Sequence, residues 1–341
     1  MKSKPGSVDP RQTIGTCHNV FGRRTFLKRT IGALAVATSG TAFPQSAQAA
    51  KNAGREAPVT LAFTGDIMFG RGVNRHMMTT SPGDPYPFTH TAGFLHGFDL
   101  TVCNLECVIS KLGGPAFKFF RFRGDPIAYH RLSNAGFDLA SVANNHSGDF
   151  GKAAFLDEYL TLPAHGITPI GGGRNRQQAH TPVFKTVRGT TIAFLAYADI
   201  IPYNFAAGDN SPGHAWLNET SVCHDVALAR ESADFVITFM HWGIEYNTSF
   251  TGPQRRLAQV AIDSGADLVV GAHPHVIEPH ELYKGKLIVY SLGNFVFDDM
   301  YPEVTRRGHI LTLKIEKERL LSWQLVPTRI GDFGEPSLLH Q

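Results

Sequence analysis

Apolar residues along this chain gather into seven short runs, and several of those runs stop at a residue able to bind a cation. Val59 to Phe63 leads into Gly65-Asp66. Leu100 to Cys103 leads into Asn104-Leu105-Glu106, and Leu139 to Ala143 into Asn144-Asn145-His146. Phe235 to Phe239 is followed by His241, and Leu268 to Val270 by Gly271-Ala272-His273-Pro274-His275. Ile192 to Tyr197 and Leu287 to Ser291 complete the set. Runs of this length bounded by turn residues read as strands. Helical stretches lie between them: Ile127 to Ala135, Lys152 to Leu160, Ser221 to Ala233, and Gln254 to Ser264. The last opens after Pro253 and stops at Gly265, which suits a helix start and stop. Strands alternating with helices predict an α/β architecture. After Phe297 the pattern changes, and His309 to Ile315 with Leu320 to Pro327 reads as a terminal hairpin.

The N-terminus reads as an address rather than as part of the fold. Gly22-Arg23-Arg24-Thr25-Phe26-Leu27-Lys28 has the twin-arginine export pattern. A mildly apolar run from Ile31 to Phe43 follows, then Ala47-Gln48-Ala49 as a cleavage pattern. We expect a signal peptide over 1–49, a linker over 50–57, a main domain over 58–300, and C-terminal strands over 301–341 that complete it. The expected location is periplasmic or extracellular. Seven of the 32 basic residues fall in 1–49, against one of the 29 acidic ones, leaving 25 against 28 and a net charge of −3. No basic stripe remains, so nucleic acid is excluded as a partner. Cys103, Cys107 and Cys223 are too few for a disulfide framework. They read as buried thiols, with a metal-ligand role at Cys103 or Cys107 as the alternative.

In α/β sheets, sites form at the carboxyl ends of the strands. The Asp, Glu, Asn and His residues gathered there make a mixed oxygen and nitrogen donor set, suited to Zn, Mn or Fe. Asp149 reads either as a partner that orients His146 or as a helix cap before Phe150. Arg71 follows the Asp66 loop and is a candidate for binding an anion. Arg121 and Arg123 lie in Lys118-Phe119-Phe120-Arg121-Phe122-Arg123-Gly124. Alternation there reads as a strand that turns its basic face either to the cleft or to solvent. Glu245 and Tyr246 read as substrate contacts or as exposed loop residues, and Asn294 as a residue rimming the site or closing a turn with Gly293. The histidines outside these motifs, His214 among them, read as surface or structural.

Six motifs occur in order: Gly65-Asp66-Ile67-Met68, Asn104-Leu105-Glu106, Ala143-Asn144-Asn145-His146, His241-Trp242-Gly243-x-Glu245-Tyr246, Gly271-Ala272-His273-Pro274-His275-Val276 and Tyr290-Ser291-Leu292-Gly293-Asn294-Phe295. Together they resemble the CapA family of capsule or poly-γ-glutamate synthesis proteins, a branch of the calcineurin-like metallophosphoesterases. The resemblance covers about 58–300. It implies a sandwich of two mixed β-sheets flanked by helices, with one or two divalent ions. It makes Asp66, Glu106, Asn145, His241, His273 and His275 the metal ligands, with Glu106 shared, and His146 the catalytic residue. Arg123 matches the family's Phe-Arg stretch and becomes the better of the two arginines for substrate. Met68 departs from the pattern, standing where the superfamily has a histidine; a thioether is a poor ligand for such ions. The implied ligand is an anionic small molecule or acidic polymer, with membrane polymer-synthesis machinery as a further partner. Two functions follow: a metal-dependent hydrolase of a phosphoester or other anionic linkage, or a non-catalytic accessory protein that binds an acidic polymer or a polymer synthase.

Overall fold

Long apolar runs without alternation belong to strands covered on both faces. The computed structural model describes residues 57–81, 83–298 and 301–339, and the runs take that form in it. The twin-arginine segment, the cleavage pattern and nearly all of the expected linker lie outside the described residues. Strand β1 (Val59–Ile67) is buried at every position except Thr60. Strands β2 (Leu100–Leu105), β11 (Phe235–His241) and β12 (Leu268–Ala272) are buried throughout.

One sheet orders β18 (Pro336–Leu338), β17 (Arg319–Ile330), β16 (Arg307–Glu316), β1, β2, β5 (Leu139–Ser141) and β6 (Thr168–Ile170). Strand β15 (Asn294–Val296) adds in parallel to the end of β1. The other sheet orders β13 (Ile277–Tyr283), β14 (Lys286–Leu292), β12, β11, β9 (Thr190–Ala198) and β8 (Val183–Val187). Two ribbons are separate: β3 (Val108–Ile109) with β4 (Arg123–Gly124), and β7 (Gly172–Gly173) with β10 (Gly213–His214). Both main sheets are mixed. Their central strands run parallel, with antiparallel strands toward one or both edges. The expected terminal hairpin is β16 with β17.

Because successive side chains alternate faces, an apolar strand feeds two cores at once. In β11, Phe235, Ile237 and Phe239 enter the layer between the sheets with Leu61, Phe63, Val102 and Val270. Val236 and Met240 enter the outer layer under the helices Glu219–Arg230 and Gly252–Ser264. The outer face of the first sheet is covered by the helices Arg71–Met77, Ile127–Asn134 and Gly151–Thr161. This is the two-sheet sandwich flanked by helices that the resemblance implies. Helix Gly252–Ser264 begins in a Thr251–Gln254 capping box and ends at Gly265 with φ 118°, as Pro253 and Gly265 predict.

The segment expected as a strand over 118–124 is one only at Arg123–Gly124. The cause is Lys118. Its side chain turns inward, while Phe117, Phe119 and Phe120 on either side stand exposed. The three cysteines of the described region are free. Cys107 Sγ accepts from Phe69 N at 3.5 Å and is not in the donor cluster described below.

Candidate metal centre

The parallel strands of both sheets end at one edge, and their next residues converge there. Close approach of two glycines begins the arrangement: a Cβ on Gly65 would stand 1.8 Å from the Gly293 carbonyl oxygen. Only glycine permits that contact. It lets β15 pair beside the end of β1, with Asp66 opposite Asn294.

Asp66 Oδ1 accepts from Asn104 Nδ2 at 2.8 Å, and that amide nitrogen is 3.1 Å from His241 Nδ1. His241 Nε2 is 2.8 Å from Asn145 Oδ1 and 3.7 Å from Glu106 Oε1. His275 Nε2 is 3.8 Å from the same Glu106 oxygen, while its Nδ1 is 2.9 Å from Asn294 Oδ1 and 3.6 Å from Asp66 Oδ2. The rings of His241 and His273 have centroids 4.7 Å apart. His273 and His275 flank Pro274 at φ 99° and 59°, conformations uncommon outside glycine. Such backbone is held at functional sites by the surrounding packing.

Glu106 is the centre of the cluster. It is completely buried, and neither carboxylate oxygen has a hydrogen-bond partner among the described residues. His273 Nδ1 is likewise without one. A buried carboxylate left in this state is costly, and a cation among these atoms removes the cost. Two overlapping donor groups hold their atoms within 4.8 Å of one another: Asp66, Glu106 and His241, and Glu106, His273 and His275. Glu106 is common to both, as the resemblance implies. His275 also lies 3.6 Å from Asp66, and His241 stands beside His273, so the two groups interlock. The donor set fits one or two divalent ions.

Electrostatics agree with that reading. Burial, then the Asp66 charge, pushes the Glu106 carboxyl well above its usual range. Burial, then the neighbouring imidazoles, drives His241 and His273 well below theirs. Burial also acts against charge on His275, but Asp66 outweighs it and His275 is raised. A divalent ion lets Glu106 ionise while the imidazoles stay neutral, the form in which they are ligands.

His146 stands beside this cluster, its Nε2 4.0 Å from Glu106 Oε1. Its Nδ1 is 2.6 Å from Asp149 Oδ2, which also accepts from Phe122 N at 2.8 Å. Asp149 therefore orients His146; the helix Gly151–Thr161 after it has Phe150 as its N-cap residue and no side-chain cap. The Phe122 ring stacks on His146 at 4.0 Å. Burial lowers His146 to about 4, although Asp149 opposes the shift.

Lys118, not predicted from the sequence, completes this group. Its Nζ donates to Asn145 O at 2.7 Å and to Asp149 Oδ1 at 2.9 Å, and lies 3.3 Å from His146 Nδ1. Asn104 was also missed, although it belongs to the Asn104-Leu105-Glu106 motif and shares a strand end with Glu106. The anion-binding candidates are placed differently from expectation. Arg123 donates to the Leu112 carbonyl at 2.6 Å and lies 3.7 Å over the Phe150 ring, so its fork is engaged by the loop. Arg71 is held by Asp298, with Nε donating to Oδ1 at 2.8 Å, and sits over Phe122. Asn294, read as rimming the site or closing a turn, is fully buried and orients His275. Glu245 is exposed, and Tyr246 beside it has its ring 6.2 Å from that of His275. Met68 is fully buried in the apolar core, where its Sδ accepts from Gly70 N at 2.8 Å.

Comparison with known proteins adds the following. A family model described as bacterial capsule synthesis protein PGA_cap matches residues 60–299. The chain is 31% identical over 277 residues to the PGA biosynthesis protein CapA of Bacillus subtilis (strain 168), covering 80% of this chain and 72% of that relative. It is 29% identical over 286 residues to the capsule biosynthesis protein CapA of Bacillus anthracis, covering 82% and 69%. Among solved structures, a hypothetical protein from Thermus thermophilus matches with a TM-score of 0.52 at 18% identity, over 79% of this chain and 98% of that one. That likeness is one of fold alone.

Proposed function

The chain belongs to the bacterial capsule synthesis protein PGA_cap family, and on that footing we propose that it is a metal-dependent hydrolase of a phosphoester or another anionic linkage. The substrate is an anionic small molecule or an acidic polymer of capsule or poly-γ-glutamate metabolism. The observation that carries this reading is Glu106, buried with two unsatisfied oxygens beside His241, His273 and His275.

Asp66, Glu106, Asn145, His241, His273 and His275 would hold the ion or ions. Bound there, divalent metal supplies Lewis acidity and activation of water at neutral pH. The chain's own part is proton transfer and orientation. Nδ1 of His146 donates to Asp149, which Lys118 fixes from its other oxygen, so that Nε2 faces the cluster. His146 delivers the proton to the leaving group from Nε2. Burial disfavours the imidazolium this requires, and the charge of an anionic substrate restores it.

The test is a pair of variants assayed on phosphomonoesters, phosphodiesters and polyglutamate, with metal content measured alongside. His146→Ala should lower kcat by about 10²–10⁴-fold with metal stoichiometry unchanged. His241→Ala should lose metal and activity together. One observation favours a second reading: Met68 packs in the core and gives the cluster no donor. If both variants retain full function in polymer assembly, the protein is instead an accessory that binds the polymer or its synthase. We further infer export by the twin-arginine route. Replacing Arg23 and Arg24 by Lys should leave the chain in the cytoplasm, and unimpaired export would refute that inference.

A further inference from the structure

The loop after β3 carries four phenylalanines and four basic residues between Lys111 and Gly124, and no acid. Its side chains divide sharply. Lys118 and Phe122 turn inward, to Asp149 and the His146 ring. Phe117 and Phe119 are fully exposed, at 109% and 96%, and Phe120 and Leu112 are exposed at 60% and 52%. These tips are held out by the loop's own anchoring. Ala116 N donates to Asp149 O at 2.7 Å, Lys118 is fastened to two oxygens, and Phe122 N donates to Asp149 Oδ2. The phenylalanines between those anchors have no route into the core.

Exposed apolar residues clustered in this way mark an interaction surface. Charge decides its partner. Among the described residues, Lys111 makes a long, exposed pairing with Asp125 at 3.9 Å, worth little, and Arg121 donates to the Ala116 carbonyl. Aromatic side chains set among cations, in a loop whose residues 111–124 include no acid, match the boundary of an anionic bilayer. There, rings enter the acyl edge and cations meet the headgroups.

We propose that this loop docks the protein on an anionic lipid surface, with Phe117, Phe119 and Phe120 inserted and Lys111 and Arg121 at the headgroups. Because Lys118 and Phe122 of the same loop touch the His146 group, docking brings the metal centre to the membrane face.

The test uses the full chain with vesicles of phosphatidylcholine, alone or mixed with phosphatidylglycerol. The chain should partition onto mixed vesicles at least about tenfold more strongly than the Phe117→Ser, Phe119→Ser, Phe120→Ser triple variant. Both proteins carry the same N-terminal apolar segment, so the difference belongs to the loop. Circular dichroism and metal content should be unchanged in the variant, since these side chains are solvent-exposed. A single Phe119→Trp variant should show blue-shifted emission on addition of mixed vesicles. Equal partitioning of the chain and the triple variant, or an unshifted spectrum from the Phe119→Trp variant, would overturn the proposal. So would a dimer that the triple change makes monomeric while vesicle binding persists; the patch would then join copies of this chain.

Discussion

Lys118 is a cation with little access to water, donating to one carboxylate and one carbonyl beside the His146 imidazole. It neutralises Asp149, and Asp149 in turn holds Nδ1 of His146. Groups of this kind, once removed from a metal, are commonly worth about 10–100-fold in activity or affinity. Lys118→Met should therefore lower kcat by about that range with KM and metal content little changed. Lys118→Arg should recover part of the loss, because the charge survives but the planar fork differs from a compact ammonium. A loss confined to stability, with kcat intact, would show that Lys118 only anchors the loop. Residues such as Asp66, Glu106 and His241 were legible in the sequence because each follows an apolar run. Lys118 was not, because it sits in a Phe and base alternation that reads equally well as an edge strand. Its side chain is distinguished only by Asp149, 31 residues away. The same contact explains why Arg123, the more conspicuous residue, is engaged elsewhere.

Elements carry a second lesson, in how helix Gly252–Ser264 is tied to strand β13. Gln254 closes the capping box by accepting from Thr251 N at 2.7 Å, and its amide nitrogen donates to Glu278 Oε2 at 2.8 Å. Pro253 and Gly265 announced this helix in the sequence; nothing there announced its bond to Glu278. Burial raises the Glu278 carboxyl from 4.5 to about 7, against the opposing Gln254 bond. A carboxyl raised by folding contributes stability fully below its unfolded value, and that contribution is lost as pH rises through the folded value. The urea midpoint of the natural chain should accordingly fall relative to Glu278→Gln as pH climbs from 4.5 through about 7. A difference that stays constant across this window would contradict the assignment.

At the scale of the molecule, the site exists only because two sheets present their parallel-strand ends to one edge. Asp66, Glu106 and Asn145 come from the first sheet, and His241, His273 and His275 from the second. Glu106 stands between them with both oxygens unsatisfied, so ions added to the metal-free protein should bind and raise its thermal midpoint. Because Met68 packs in the core and offers no donor, two ions bound here should be held unequally. Titration with Zn²⁺ or Mn²⁺ should show one step or two unequal steps, and Met68→His should strengthen the weaker. Two equal tight steps in the unmodified chain would refute this. The sequence by itself determined the central strands of both sheets, the β16–β17 hairpin, four of the helices and the donor types at the strand ends, because hydrophobic period and turn chemistry are local properties. Tertiary structure alone decided which donors share Glu106, that Asp149 orients His146, that Asn294 stands behind His275, and that Lys118 rather than Arg123 meets the site. Asp149 lies only three residues from His146, and there the structure chose between two local readings; the other outcomes depend on distances between segments tens to hundreds of residues apart, which no local pattern of polarity encodes.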